Sequence, residues 1–150
     1  MTARPDLMPI DLKRQGRAEE HIALFPPENE SERVELFDAM KKKTGLVMSE
    51  EYIPKTILNG ELTLSGADME AALTRAKFKT ASDGLKETTP EILDFVFADF
   101  LPPTYPEEVE LQTLTAVSEC TSRSLLPDKY RKLDRNKVLS QIQKLKETVR

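Results

Sequence analysis

From residue 29 onward the apolar positions recur at helical spacing. Asn29 or Ser31 can cap a helix running to about Lys43, with Val34, Phe37 and Met40 on one face and Gly45 as its stop. Ser49-Glu50-Glu51-Tyr52 reads as the start of a second, short helix that Asn59-Gly60 closes. Ser65 caps a third, with Asp68 three residues later and Met69, Leu73 and Ala76 along one side, and Asp83-Gly84 ends it. Thr89-Pro90-Glu91 opens a fourth, whose stripe is Leu93, Val96, Phe97 and Phe100 and whose stop is Leu101-Pro102-Pro103. A fifth spans roughly Pro106 to Leu125, before Pro127. The last runs from about Asp134, with Val138, Ile142, Leu145 and Val149 on one side. Ahead of these helices, residues 1–20 are polar and irregular, with room for a short helix around Ile10 to Arg14. His21 to Phe25 reads as a short strand through Ile22, Leu24 and Phe25, ended by Pro26-Pro27. The chain is therefore expected to be mainly α, with one strand. A lone strand leaves backbone groups unsatisfied, so its sheet is expected in residues outside this sequence.

Composition sharpens this only in places. The net charge of −4 gives no overall case for nucleic acid as a partner. Three tyrosines, six phenylalanines and no tryptophan are thin for base stacking. Charge is segregated, however. Glu87 to Glu119 holds eight acidic residues and no basic one, whereas Thr121 to Arg150 holds nine Lys/Arg against three Asp/Glu. Such runs are ordinarily solvated helix faces, though a basic tail can also dock on an acidic surface of its own chain or a neighbour's. Cys120 alone excludes an internal disulfide and a thiolate metal cluster, and is read as a small buried side chain on a helix. There is no apolar run long enough for a membrane span and no secretion-signal pattern at the start, so a cytoplasmic location is expected.

Three stretches share a family likeness. Thr2-Ala3-Arg4-Pro5-Asp6, then Arg14-Gln15-Gly16-Arg17, then His21 to Pro27 resembles the end of the core domain of an AAA+ ATPase, its second region of homology. Leu64-Ser65-Gly66-Ala67-Asp68-Met69-Glu70 to Arg75-Ala76 resembles the Ser-Gly-Ala-Asp start of the family's lid helix. Thr88-Thr89-Pro90-Glu91-Ile92 to Phe97, followed by Pro102-Pro103, is similar to the helix that closes the lid. The likeness covers residues 2–103 and implies three segments: 1–27 as the tail of an α/β P-loop core, 28–103 as the helical lid, and 104–150 as a helical extension with no counterpart. It implies that Arg14 and Arg17 act in trans on the ATP of a neighbouring subunit, that Gly66 and Ala67 lie on the adenine side of ATP, and that Arg4 braces the subunit contact. The expected partners are neighbouring AAA+ subunits or a missing core domain, with a remodelled protein as a possible substrate. ATP with magnesium is the expected cofactor of the intact assembly only. The chemistry suits arginine: a guanidinium stays protonated and meets two phosphate oxygens at once as charge gathers on the γ-phosphate.

The sequence also departs from the family. Ala3 stands where a polar first sensor is usual, Gln15 replaces a proline, and Ala18-Glu19 replaces Phe-Asp. No glycine is followed by lysine, so the Gly-x-x-x-x-Gly-Lys-Ser/Thr loop that cradles phosphates is missing, as is the acidic strand end that holds the metal. The isolated chain is therefore expected to be inactive. Against the trans role, Arg14 and Arg17 could be an ordinary surface pair bridged to Asp11, Glu19 or Glu20. His21 is the only histidine and builds no metal site or triad by itself. Asp6 with Asp11 and Lys41-Lys42-Lys43 are weaker candidates, for a carboxylate pair and a phosphate contact. The rival reading is a free-standing, non-catalytic helical module that binds a partner through its acidic and basic helices.

Overall fold

A computed structural model describes residues 4–14, 16, 17, 20–102 and 104–149. Its α-helices are α1 Ile10–Lys13, α2 Glu30–Thr44, α3 Lys55–Asn59, α4 Gly66–Ser82, α5 Pro90–Asp99, α6 Pro106–Glu119, α7 Asp128–Arg131 and α8 Arg135–Thr148. The protein is mainly helical, and the described residues contain no strand beyond one isolated bridge. Two compact units result. Pro26–Pro103 is one; Met1–Phe25 with Thr104–Arg150 is the other. We call them the helical unit and the split unit.

In the helical unit the sequence signals act as local chemistry requires. The Asn29 side chain accepts the Glu32 N–H at 2.9 Å, and Gly45 ends α2 in the left-handed region at φ 61. At α4 a reciprocal capping box forms: the Ser65 hydroxyl accepts the Asp68 N–H at 3.2 Å, and the Asp68 carboxylate accepts the Ser65 N–H at 2.9 Å. Thr89 caps α5, with Pro90 at the first helical position. The buried faces of α2, α4 and α5 then meet in one core containing Phe37, Met69, Leu73, Ala76, Leu93, Val96, Phe97 and Phe100.

The segment before α3 differs from the sequence reading. Ser49 to Tyr52 is not helical; the short helix starts only after Pro54. Two causes act together. Pro54 disfavours helical geometry at Ile53. A parallel bridge also links Met48 with Thr88: Thr88 N–H donates to Val47 O at 2.8 Å, and Ser49 N–H donates to Thr88 O at 3.1 Å. The Thr88 hydroxyl is buried with that of Thr80, 2.8 Å away, while the Thr80 hydroxyl donates to Ala76 O at 2.8 Å.

The split unit joins stretches that are far apart in sequence. Here α6 and α8 pack through Leu111, Leu114, Val138 and Ile142, with Leu145 and Val149 at the margin. Asp134 caps α8, its carboxylate accepting the Asn136 N–H at 2.9 Å. The acidic and basic runs adjoin across this seam, where the Gln141 amide donates to Glu110 at 2.6 Å. Helix α6 stops at Glu119, short of the expected Leu125, and Cys120 is an extended, half-buried cap residue rather than a helical core residue. The reason is a long-range partner: Thr121 N–H donates to His21 O at 3.3 Å, and His21 N–H donates to the Thr121 hydroxyl at 3.0 Å. That partner also corrects the strand. His21 to Phe25 is extended but not a strand. His21, Ala23 and Phe25 are half-buried, with Phe25 stacked on Tyr130 at 5.7 Å between ring centres, while Ile22 and Leu24 face solvent at 61% and 77% exposure.

Candidate functional site

The arginine candidates follow α1 in the split unit. This helix is a single turn, and it ends at Lys13 because Arg14 is already extended. Arg17 N–H donates to Arg14 O at 3.2 Å, closing a tight turn in which Gly16 sits at φ 90, a conformation glycine adopts without steric cost. The two arginines thus lie past the helix, on a turn. Both are exposed. Arg14 makes an ion pair with Asp11 at 3.4 Å, with both side chains about 70% exposed, so the pair restrains the guanidinium little. Ala3, Gln15, Ala18 and Glu19, on which the departures from the family rest, lie outside the described residues, as do Thr2 and Pro103.

The stems of this turn are held more firmly than its tip. On the leading side, Lys13 Nζ donates to Glu119 Oε1 at 2.7 Å, with both side chains mostly covered. On the trailing side, His21 Nδ1 lies 3.0 Å from Glu119 O. A carbonyl only accepts, so Nδ1 carries the proton in that contact. Further back, Arg4 clamps Asp6 through Nε at 3.0 Å and Nη2 at 2.9 Å, and Lys146 of α8 reaches the same carboxylate at 3.2 Å. The hydrogen-bonded Arg4 guanidinium, aided by Lys146 and opposed by burial, holds the Asp6 carboxyl well below the usual carboxylate range. Asp6 is thus occupied by cations, and Asp11 pairs instead with Arg14. Beside this loop an open cavity of about 1000 Å³ is lined by Lys13, His21, Glu119, Cys120, Arg135 and Leu139, among others.

The adenine candidates belong to the helical unit. Gly66 is the first residue of α4 and is half-buried; Ala67 is exposed. A side-chain carbon at Gly66 would stand 3.8 Å from Leu36 Cδ1 and 4.0 Å from Met40 Cε, so two apolar groups of α2 rim an accessible stretch of main chain. The lysine triplet at the end of α2 is partly committed: Lys41 pairs with Glu51 at 2.8 Å and Lys43 with Glu70 at 2.6 Å.

Two features of the structure escaped the sequence reading. Arg33 of α2 donates to Ile57 O at 2.7 Å, Leu58 O at 2.8 Å and Glu28 O at 3.2 Å, capping the carbonyl end of α3. The Asn59-Gly60 helix end marked a place needing such a donor, but nothing near it named Arg33. The Glu119–Thr121 tethers have no local signal at all. Among the described residues, no three His, Cys, Asp or Glu side chains gather as metal ligands, and no helix is long and apolar enough to cross a membrane. No protein-family model matches the chain, and neither a curated protein nor a solved structure matches it.

Proposed function

We propose that this chain is the C-terminal part of an AAA+ ATPase, contributing trans-acting Arg14 and Arg17 and lid contacts to ATP in an oligomeric ring. One observation carries the reading: an exposed two-arginine turn leads directly into an extended segment whose Ile22 and Leu24 side chains project into solvent. Apolar side chains alternating outward on extended backbone suit a strand that completes a sheet, here the parent's α/β core. The helical unit, with its capped α4 start at Ser65 and its Thr89-Pro90 start of α5, supports the lid assignment.

In this reading the turn projects both guanidinium groups toward a nucleotide held by the next subunit. Each offers a fork of donors to oxygens that gain charge as the phosphoryl group departs, and each stays cationic throughout. The Gly66–Ala67 main chain, rimmed by Leu36 and Met40, meets the flat adenine. ATP would supply the phosphoryl group. The described residues offer no ligand set for its magnesium, which would be held by the core.

The test is a ring that contains this chain. Arg14→Ala or Arg17→Ala is expected to lower kcat on the order of 10³-fold with little change in nucleotide binding, because the charge these groups meet develops mainly in the transition state. Subunits with intact arginines but no P-loop lysine should partly restore turnover when mixed with either mutant. Equal losses in ATP affinity and turnover, or no restoration in mixed rings that assemble normally, would overturn the trans role.

A further inference from the structure

We infer that the C-terminal end of α6 is a clasp that holds the chain on either side of Arg14 and Arg17, at Lys13 and His21, with Glu119 and Thr121 as positioning residues for the two arginines. The inference rests on the trans-arginine reading and assigns a role to residues 104–150, which the family likeness does not cover.

The geometry is specific. The loop's two stems are Lys13 and His21, and both are bound by the same three-residue stretch. Glu119 takes Lys13 through its carboxylate at 2.7 Å and His21 Nδ1 through its carbonyl at 3.0 Å. Thr121 takes the His21 main chain from both sides: its hydroxyl accepts the N–H at 3.0 Å, and its own N–H donates to the carbonyl at 3.3 Å. The carboxylate of Glu119 also lies 3.9 Å from His21 Nδ1, so one side chain faces both stems. Separately, the Lys146–Asp6 pair ties the chain ahead of α1 to α8.

Holding Lys13 and His21 on one anchor restricts where Arg14 and Arg17, which lie between them, can reach. The turn at Gly16 then sets the direction of what remains. Such restraint matters because a catalytic group displaced by about 1 Å can lose roughly 10²-fold in rate. The exposed Arg14–Asp11 pair cannot supply it, being solvated on both sides. The Lys13–Glu119 pair of the clasp is mostly covered, with Lys13 at 17% and Glu119 at 27% side-chain exposure.

The experiment uses the full chain and an arginine-specific protease, with mass spectrometry reporting cleavage after Arg14 and Arg17. Glu119→Gln, Lys13→Gln and Thr121→Val should each speed cleavage on the order of fivefold, since cleavage tracks the open population of the loop, while far-UV circular dichroism stays unchanged. Reversing the pair, Lys13→Glu with Glu119→Lys, should return the rate toward wild type. In the ring, Glu119→Gln should lower kcat and leave the KM for ATP alone. The inference is overturned if none of the single variants speeds cleavage, or if the reversed pair cleaves as fast as the singles. It is also overturned if cleavage quickens but ring turnover holds while Arg14→Ala and Arg17→Ala still lower it. Failure of the underlying reading is distinguishable: rings carrying those arginine variants would then turn over like wild type, whatever the protease reports.

Discussion

The two units of this chain are built by different physics. The helical unit buries a continuous apolar core, in which Phe37, Ala72, Leu73, Ala76, Leu93 and Phe97 are all at 0% exposure, and the starts of α2, α4 and α5 are capped by neighbouring residues. The split unit has a small seam of Leu111, Leu114, Val138 and Ile142 and relies otherwise on charged and polar ties. A core of the first kind resists salt and acid. Ties of the second kind weaken with both, yet they fix direction, which apolar contact does poorly.

The largest effect expected from this division is on stability. Phe97→Ala should cost about 3–5 kcal/mol in denaturant unfolding, while Ile142→Ala should cost nearer 2 kcal/mol because its site is shallower and can collapse. Equal losses would break the comparison. Next come the glycines of the helical unit. Gly45 and Gly60 both sit in the left-handed region, at φ 61 and φ 66, so alanine should cost about 1 kcal/mol at either from backbone strain. At Gly60 a side-chain carbon would also lie 2.9 Å from Arg33 Cζ, whereas the space at Gly45 is open. Gly60→Ala should therefore exceed Gly45→Ala by roughly 1–2 kcal/mol, the value of displaced charge-assisted hydrogen bonds; equal melting temperatures would contradict the Arg33 cap.

The smallest effect is on pH, and it belongs to the split unit. The folded Asp6 carboxyl titrates below its unfolded value, because Arg4 and Lys146 favour the anion. Its stabilisation is therefore fully present above the ordinary carboxylate range and fades as pH falls through that range toward the folded value. Asp6→Asn should flatten this acid limb in a stability-versus-pH series and leave neutral-to-alkaline behaviour parallel to wild type. An unchanged acid limb would remove Asp6 from the account.

What could be read in the sequence follows the same divide. Asn29, Ser65 with Asp68, Thr89-Pro90 and Asp134 act within three residues of themselves, so the starts of α2, α4, α5 and α8 were legible, as was the buried stripe of Leu93, Val96, Phe97 and Phe100. Ser49 to Tyr52 looked like a helix start because its competitor, Thr88, lies some forty positions away. His21 to Phe25 looked like a strand because Ile22, Leu24 and Phe25 are apolar; its partners, Thr121 for His21 and Tyr130 for Phe25, lie a hundred residues on. Arg14, Arg17, Gly66 and Ala67 could be named from motif likeness, but the residues that tether the arginine loop carry no local pattern. A tether across such a separation exists only once the chain has folded.

The threonine pair in the helical core shows how a single proton fixes roles between identical side chains. A hydroxyl has one hydrogen to give, and that of Thr80 goes to Ala76 O. Toward Thr88 it can only receive, so the 2.8 Å bond between them runs one way, from Thr88 to Thr80. The two residues are therefore not interchangeable. Valine at 88 would leave one oxygen lone pair of Thr80 unmet, a minor loss for an atom whose hydrogen is still placed. Valine at 80 would strand the buried hydrogen of Thr88, the costlier kind of vacancy, beside the bridge that joins Met48 to the start of α5.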